Sequence, residues 1–255
     1  MPLLRLDHVH VDFPLYTARG RSLKNRAMAL LGSKVRQKIE EHHQIVTVHS
    51  LQDITITLRD GDRLGLVGRN GAGKSTLLRV MSGIYEPVLG HIDIEGSIAA
   101  ITDMTMGMDL EATGYENIVL RGVFLGLSHA DARRQIPAIA AWTELGDALA
   151  RPVRTYSTGM QLRLAFAVST TIRPDILILD EMIGAGDAHF IEKARQRLND
   201  LVSATSILVL ASHQPAILRE FCNRAVLMHE GRMVMSGGVE EVLEAYAVLD
   251  RGEAR

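Results

Sequence analysis

A glycine-rich stretch, GRNGAGKST at residues 68–76, has the residue types that bind phosphate groups. It follows a predicted strand, opens a predicted helix and fits the phosphate-binding loop pattern at every fixed position. Glycines let successive backbone N–H groups point inward at a β-phosphate. Lys74 supplies a mobile charge for the β- and γ-phosphates, and Ser75 is placed to bind Mg²⁺. The residues expected to contact the nucleotide are Gly68, Arg69, Asn70, Gly71, Ala72, Gly73, Lys74, Ser75 and Thr76.

A second motif, ILILDE at residues 176–181, delivers two acids at the end of an apolar run. An apolar run of this kind is typical of a parallel strand that is covered on both faces. Asp180 would hold Mg²⁺ through water, whereas Glu181 would orient or deprotonate the attacking water. The alternative is a capping acid beside a surface acid, and the phosphate loop upstream disfavours it.

His213 ends another apolar strand, SILVLASH at residues 206–213. A lone histidine after such a strand is usually structural. Its position beyond the acid pair would nevertheless bring it to the γ-phosphate edge of the same sheet, where its ring could sense that phosphate.

The stretch YSTGMQLRLAFA, residues 156–167, reads as a polar turn that opens a helix. Ser157 is placed to cap this helix, and the free N–H groups of a helix start can bind an anion. The bulky Tyr156 and Met160 beside the Ser-Thr-Gly core leave open which ligand would bind there.

Composition limits the classes of function. The chain has 255 residues, is 47% hydrophobic and 23% charged, and carries a net charge of −2, so we expect a globular protein and no nucleic-acid partner. Its one cysteine, Cys222, cannot form an internal disulfide, which favours a reducing cytosol, and it is expected to be a small core residue. No window offers about 18 uninterrupted apolar residues, so no membrane-spanning helix is expected.

The elements that must position these residues alternate between strands and helices, which indicates an α/β fold with a parallel sheet. In the first part of the chain we expect a strand at 3–13, a strand pair within 54–68 that turns at Asp60 and Gly61, and a helix from Lys74 to Ser82. A helical lobe is expected from about 112 to 150. Towards the end of the chain we expect a hairpin at 225–237 that turns near Glu230 and Gly231, and a helix at 239–249. A basic insertion is expected at about 17–46; it is either a solvated loop or a contact surface for a partner or lipid headgroups.

The three motifs, with YSTGM between the first and the second, resemble the nucleotide-binding subunits of ATP-binding cassette (ABC) transporters over essentially the whole chain. This resemblance implies one P-loop NTPase domain of the ABC ATPase type over residues 1–255. Such a domain has a mixed sheet core, an antiparallel β subdomain, a helical subdomain at about 112–172, and a C-terminal hairpin and helix at about 225–255. ATP and Mg²⁺ are the implied cofactors.

The resemblance also implies a head-to-tail homodimer that holds two ATP molecules between its subunits. The family's signature sequence, usually Leu-Ser-Gly-Gly-Gln, falls on residues 156–160, where Ser157 and Gly159 are retained. These two residues would contact the γ-phosphate of ATP bound by the other subunit. The family's D-loop, which crosses the dimer interface, falls on residues 184–187 and retains Asp187.

Two further family positions are less clear in this sequence. The aromatic residue that stacks on adenine should follow the first strand, which points to Phe13, with Tyr16 as the alternative. The family's Q-loop glutamine, which couples nucleotide to the membrane partner, is absent near residues 101–105, and Asp103 occupies its position. An acid there could bind Mg²⁺ but could not donate a hydrogen bond.

The stretches TGYENI (113–118), YSTGM and DEMIGAGDAHF (180–190) resemble the branch that exports O-antigen, capsular polysaccharide or teichoic acid. Members of that branch carry an insertion between the first two strands, where Leu31 and Gly32 would correspond to a family pair. The chain ends after its last helix, so no C-terminal carbohydrate-binding domain is expected.

The implied function is an ATP-hydrolysing motor. It would sit peripherally on the cytoplasmic face of the inner membrane and bind an integral membrane permease, which would handle most of the polysaccharide. The alternatives are an ATPase of another transport branch, such as an importer or a lipid flippase, and a soluble ABC ATPase of DNA repair or translation. A P-loop kinase or GTPase is disfavoured because neither mechanism requires YSTGM before an acid-ended strand.

Overall fold

Two β-sheets form the centre of the protein, described here by a computed structural model that covers residues 1–15, 46–101, 106–180 and 188–252. The smaller sheet is antiparallel and has the strand order β2-β1-β4, with β1 at Leu3–Leu15, β2 at Val46–Arg59 and β4 at Leu89–Glu95. The strand expected at residues 3–13 is confirmed by β1, in which Leu4 and Leu6 are buried. The expected insertion at 17–46 lies outside the described residues except for Val46.

The larger sheet has six strands in the order β5-β6-β7-β3-β8-β9. Its strands are β3 at Arg63–Val67, β5 at Ile98–Ile101, β6 at Ile176–Asp180, β7 at Ile207–Ala211, β8 at Arg224–His229 and β9 at Arg232–Gly237. Neighbouring strands are parallel except for β8 and β9. The apolar runs of β6 and β7 are buried, as expected for strands covered on both faces.

The strand pair expected within residues 54–68 is wrong in its pairing. The turn at Asp60 and Gly61 is present, but β2 belongs to the antiparallel sheet and β3 to the parallel one. Directly after the turn, the N–H of Gly61 donates to the carbonyl of Ser206 over 2.8 Å, so the chain joins β7 instead of folding back. A turn signal fixes the local direction of the backbone, whereas the partner of the next strand depends on where its apolar residues are buried.

The hairpin expected near Glu230 and Gly231 is confirmed. Strands β8 and β9 are antiparallel, and the two residues between them have φ angles of 45° and 76°. Two consecutive positive φ angles characterise the tight turn that matches the twist of a hairpin.

Seven helices complete the described part of the chain. They are α1 at Lys74–Met81, α2 at Gly114–Phe124, α3 at His129–Thr143, α4 at Thr158–Ser169, α5 at Ala188–Ser203, α6 at Pro215–Phe221 and α7 at Val239–Gly252, with short 3₁₀ turns at Gly146–Ala150 and Val153–Thr155. None of the helices within the described ranges has the length and apolar character needed to cross a membrane.

Helices α2, α3 and α4 pack around a small core of their own. Ile118, Ile139 and Leu164 meet there, one from each helix, and all three are buried. Helix α2 begins with a capping box, in which Thr113 and Glu116 satisfy each other's backbone N–H groups. This helical unit follows the phosphate loop in sequence and presents the start of α4.

Candidate nucleotide-binding site

The phosphate loop runs from the end of β3 into α1 and is shaped by glycine. Gly68 and Gly73 have φ angles of 151° and 100°, which disfavour residues with a side chain. A Cβ atom on Gly68 would lie 2.4 Å from the carbonyl oxygen of Met228, and one on Gly73 would lie 2.9 Å from that of Ser50. The close packing of the loop against β8 and β2 therefore requires glycine at both positions.

Lys74 and the first turn of α1 supply the positive potential of the site. The Lys74 side chain is only 8% exposed, and its Nζ donates to the carbonyl of Arg69 over 3.0 Å and to the carbonyl of Gly68. Gly73 precedes α1 and provides no side-chain cap. Helix α1 therefore presents backbone N–H groups at its start, which favours an anion.

A cavity of about 440 Å³ brings the three sequence motifs together. Its lining includes Lys74 and Ser75 from the loop, Asp180 from the end of β6 and His213 from just beyond β7. Strands β3, β6 and β7 are parallel neighbours, so their carboxyl ends meet at one edge of the sheet. That edge is where open α/β sheets bind ligands.

Two serines, Ser50 and Ser212, also line this cavity, although no sequence motif marks either of them as a site residue. The Oγ of Ser50 donates to Thr76 Oγ1 over 2.9 Å, which ties β2 to α1. Ser50 comes from the other sheet, and only the packing of the two sheets places it there.

A second cavity of about 570 Å³ adjoins the first and shares Arg69, Asn70, Gly71 and His213 with it. The remaining wall includes Tyr246 and Asp250 of α7. Asp250 forms an ion pair with Arg69 across 3.3 Å, so the last helix contacts the phosphate loop. The amphipathic pattern of α7 predicted the helix but did not indicate this contact.

The YSTGM stretch lies elsewhere on the same chain. Ser157 caps α4, and its Oγ accepts from the N–H of Met160 over 3.3 Å. Ser157 is exposed, and neither Ser157 nor Gly159 is among the described residues that line the two cavities. A Cβ atom on Gly159 would approach only the Oγ of Ser157, at 4.0 Å, so this face is open to a partner.

Tyr156 anchors the stretch instead of facing a ligand. Its hydroxyl donates to the carbonyl of Ala148 over 2.6 Å, and its side chain is buried against the core of the helical unit. Burial raises the pKa of Tyr156 above its ordinary value. Tyr156, one of the two bulky residues that left the ligand open in the sequence, therefore holds the start of α4 in place.

Phe13 remains a prediction as the adenine-stacking residue. Its ring contacts the ring of Tyr85 edge-on, with 5.5 Å between centroids, and it packs against the core of the two sheets. It is not part of the described lining of either cavity. The alternative, Tyr16, and the predicted site residues Asp103, Glu181 and Asp187 lie outside the described residues.

Magnesium would have oxygen ligands here, since Ser75 and Asp180 line one cavity. Hydroxyl and carboxylate oxygens suit Mg²⁺, which usually keeps several waters and takes its remaining ligands from substrate phosphates. Among the described residues no cluster of three or more His, Cys, Asp or Glu side chains could hold a metal ion alone. The residues present therefore fit a metal that arrives with a nucleotide.

The chain is similar to ABC transporter proteins, including ATP-binding proteins of export systems. A family model described as ABC transporter matches residues 51–184. The chain is 45% identical over 232 residues to the O-antigen export system ATP-binding protein RfbE of Yersinia enterocolitica, covering 91% of this chain and 96% of that protein. It is 39% identical over 199 residues to the O-antigen export system ATP-binding protein RfbB of Myxococcus xanthus, covering 78% of this chain and 46% of that protein.

Among solved structures, the chain resembles a dimeric post-hydrolysis state of the ATP-binding cassette MJ0796 bound to ADP and Pi. The TM-score is 0.68 at 18% identity, over 92% of this chain and 98% of that one. The likeness confirms the fold expected from the sequence.

Proposed function

Because this chain belongs to the ABC transporter family, we propose that it is the ATP-hydrolysing motor subunit of an exporter that moves a cell-surface polysaccharide across the cytoplasmic membrane. The observation that supports the motor assignment is that Lys74, Ser75, Asp180 and His213 all line the same cavity. The polymer class, of the O-antigen, capsule or teichoic acid type, rests on the relative from Yersinia and its coverage of nearly the whole chain.

Lys74 and the start of α1 would bind the phosphates of ATP. In this structure the Lys74 ammonium is held by two loop carbonyls, and we propose that it turns to the β- and γ-phosphates when ATP enters. Ser75 and Asp180 would hold Mg²⁺, which neutralises phosphate charge when bound. Asp103 would be a further acid near the metal.

Hydrolysis would depend on the residue that follows Asp180. We propose that the Glu181 carboxylate orients the attacking water and accepts its proton while the bond between the γ-phosphorus and the bridging oxygen breaks. The products are ADP and phosphate. His213, which lines the same cavity, would contact the γ-phosphate from the end of β7.

A second copy of this chain would complete each site. Ser157 and Gly159 lie outside the cavities of their own chain, and the space beside Gly159 is open. In a head-to-tail dimer these residues would contact the γ-phosphate held by the partner, with Asp187 crossing the interface. Loss of the γ-phosphate would remove this bridge and open the dimer.

The helical unit presents an apolar face that would bind the membrane permease. Leu120, Val123 and Phe124 of α2 are exposed, as are Met106 and Leu110 in the segment before it. Contiguous exposed apolar side chains mark interaction sites. Such a contact would place the subunit on the cytoplasmic face of the inner membrane, where the permease would handle most of the polymer.

The experiment that tests this function replaces the chromosomal copy of the gene with a Lys74→Ala variant. We expect the purified variant to bind ATP at least about tenfold more weakly, because a charged hydrogen-bonding group is lost. We also expect cells that carry it to lose a polysaccharide from their surface. The matched control is Arg133→Gln, an exposed residue of α3. A normal surface glycan with Lys74→Ala would contradict the proposal.

A further inference from the structure

A third cavity, of about 400 Å³, lies where α3, α4 and α5 meet. Its lining includes Trp142 from α3, residues just after α4, and Arg197 from α5. Within the described residues it shares no lining residue with the two nucleotide cavities. Its volume lies within the range of small-molecule sites, about 300 to 1,000 Å³.

Most of the charged residues that line this cavity are basic. Arg173, Lys193 and Arg197 line it together with one carboxylate, that of Asp200. Lys193 is paired with Glu144, which does not line the cavity, and Asp200 accepts a 3.3 Å hydrogen bond from Gln196. Arg173 is exposed and has no hydrogen bond or ion pair with any described residue. Positive charge therefore remains in the cavity after the neighbouring pairs are counted.

Arg197 is only partly satisfied by the protein. Its Nε donates to Thr170 Oγ1 over 2.6 Å, and its Nη2 donates to the carbonyl of Ala167 over 3.1 Å and to Thr171 Oγ1 over 3.3 Å. No described residue accepts a hydrogen bond from its Nη1 or pairs with it through a carboxylate. Burial lowers the pKa of Arg197, and a desolvated cation is stabilised by a counter-anion.

The C-terminal end of α4 disfavours the binding of an anion in this cavity, because the last carbonyls of a helix carry partial negative charge. Here the Arg197 guanidinium already bonds one of those carbonyls, that of Ala167. Arg173 and the Nη1 donors of Arg197, which have no partner among the described residues, remain for an anion.

We propose that this cavity binds a small phosphate ester, with Arg173 and Nη1 of Arg197 as donors to the phosphate. Arginine is well suited to phosphate because its donors match the spacing of phosphate oxygens. The volume exceeds that of one inorganic anion, whose share of space is comparable to a few waters of about 30 Å³ each. The amide oxygen of Gln196 accepts no hydrogen bond from any described residue and would accept one from a hydroxyl of the ester.

The protein contains its own probe for this cavity. Trp142 is the single tryptophan of the chain, and its ring lies 4.8 Å from the Arg197 guanidinium carbon and 5.1 Å from the Lys193 Nζ. Indole emission responds to nearby charge, so an anion held by these cations will change it. We would titrate glucose 6-phosphate into Lys74→Ala protein, which weakens binding at the phosphate loop, and use KCl to hold the ionic strength constant.

We expect a saturable change in Trp142 emission with a dissociation constant on the order of 1 mM, and none with neutral glucose. Arg173→Gln should weaken binding about tenfold, because it removes one charged donor without removing a contact from the fold. The matched control, Arg133→Gln, removes the same charge from α3 outside the cavity and should leave the affinity unchanged.

Two results would show that the cavity does not bind a phosphate group. One is an emission change that does not saturate, and the other is equal affinity in the Arg173→Gln and Arg133→Gln variants. Inorganic phosphate, titrated in the same way, should bind at least about threefold more weakly than the ester because it lacks the hydroxyl contacts. Equal affinity for the two probes would overturn the assignment to an ester.

Discussion

At the residue scale, backbone carbonyls of the phosphate loop hold the Lys74 ammonium in the candidate nucleotide site when no ligand is bound. Lys74 is only 8% exposed, and its ammonium donates hydrogen bonds to two carbonyls of the phosphate loop. A buried charge with such partners avoids most of the desolvation cost. The phosphates of ATP would replace those partners, so the Lys74 charge would have hydrogen-bond acceptors in both states.

The role of Glu181 leads to a residue-scale prediction. We expect Glu181→Gln to keep ATP affinity and to slow turnover about 10² to 10⁴-fold, because an amide is nearly the same shape but cannot accept the proton of water. Phosphate release measures turnover, and filter binding measures affinity. Full ATPase activity in this variant would exclude Glu181 as the base.

A second prediction concerns Cys222. Burial raises the pKa of its thiol to about 12, and its Sγ lies 3.3 Å from where a Cβ on Gly65 would be. The folded protein therefore keeps the thiol protonated at pH 8, where an unfolded cysteine is partly thiolate. We expect labelling by a thiol-specific disulfide reagent to be roughly a thousandfold slower in the native protein than in denaturant. Similar rates in both would show that Cys222 is an accessible, reactive thiol.

At the element scale, one buried charge joins the helices of the helical unit. Arg121 of α2 is 2% exposed, and its Nε and Nη2 donate to Ser169 Oγ at the end of α4, over 3.1 and 2.8 Å. Its Nη1 donates to the carbonyl of Met106. Arg121 therefore links the segment before α2 to the helix that Ser157 caps.

We expect Arg121→Gln to lower the free energy of unfolding by about 3 kcal/mol, because buried acceptors lose a charged donor. Urea unfolding of the variant measures the effect. Arg133→Gln, which removes an exposed arginine from α3, should change stability by less than about 0.5 kcal/mol. Equal unfolding free energies for the two variants would show that the Arg121 contacts contribute nothing.

Local patterns were enough to predict most elements. The turn at Glu230 and Gly231 was predicted correctly from local sequence, and both residues adopt the positive φ angles of a tight hairpin turn. The turn at Asp60 and Gly61 gave an equally clear signal and still misled, because its flanking strands enter different sheets. The choice between those sheets depends on burial across the whole molecule, which a local pattern does not contain.

The residues of the candidate site also fall into two groups, those that the sequence predicted and those that it did not. Lys74, Ser75, Asp180 and His213 follow apolar strands that could be identified from the sequence, and parallel strands bring their ends together. In contrast, Ser50, Tyr246 and Asp250 reach the cavities through the packing of another sheet and of the last helix. No spacing in the sequence connects those residues to the phosphate loop.

At the scale of the whole molecule, the proposed function requires two parts of one chain that do not line the same described cavity. The phosphate loop and the ends of β6 and β7 line the nucleotide cavity, whereas Ser157 is exposed at the start of α4. Two copies in head-to-tail arrangement would bring the halves together twice. This arrangement would make ATP part of the subunit interface, and it is the central claim of the proposed function.

Mixed dimers test this claim most directly, with Ser157→Arg on one subunit and Lys74→Ala on the other. Both substitutions then fall in the same composite site, so the other site is intact. With differently tagged subunits purified together, we expect this dimer to trap ATP at its remaining site. A site built within one subunit would leave none intact.

The matched control is a dimer that carries both substitutions on one subunit, with a wild-type partner. The composite arrangement then disables both sites, so the measured ATP retained per dimer should fall to background. Retention in this second dimer together with none in the first is the result that would contradict the account.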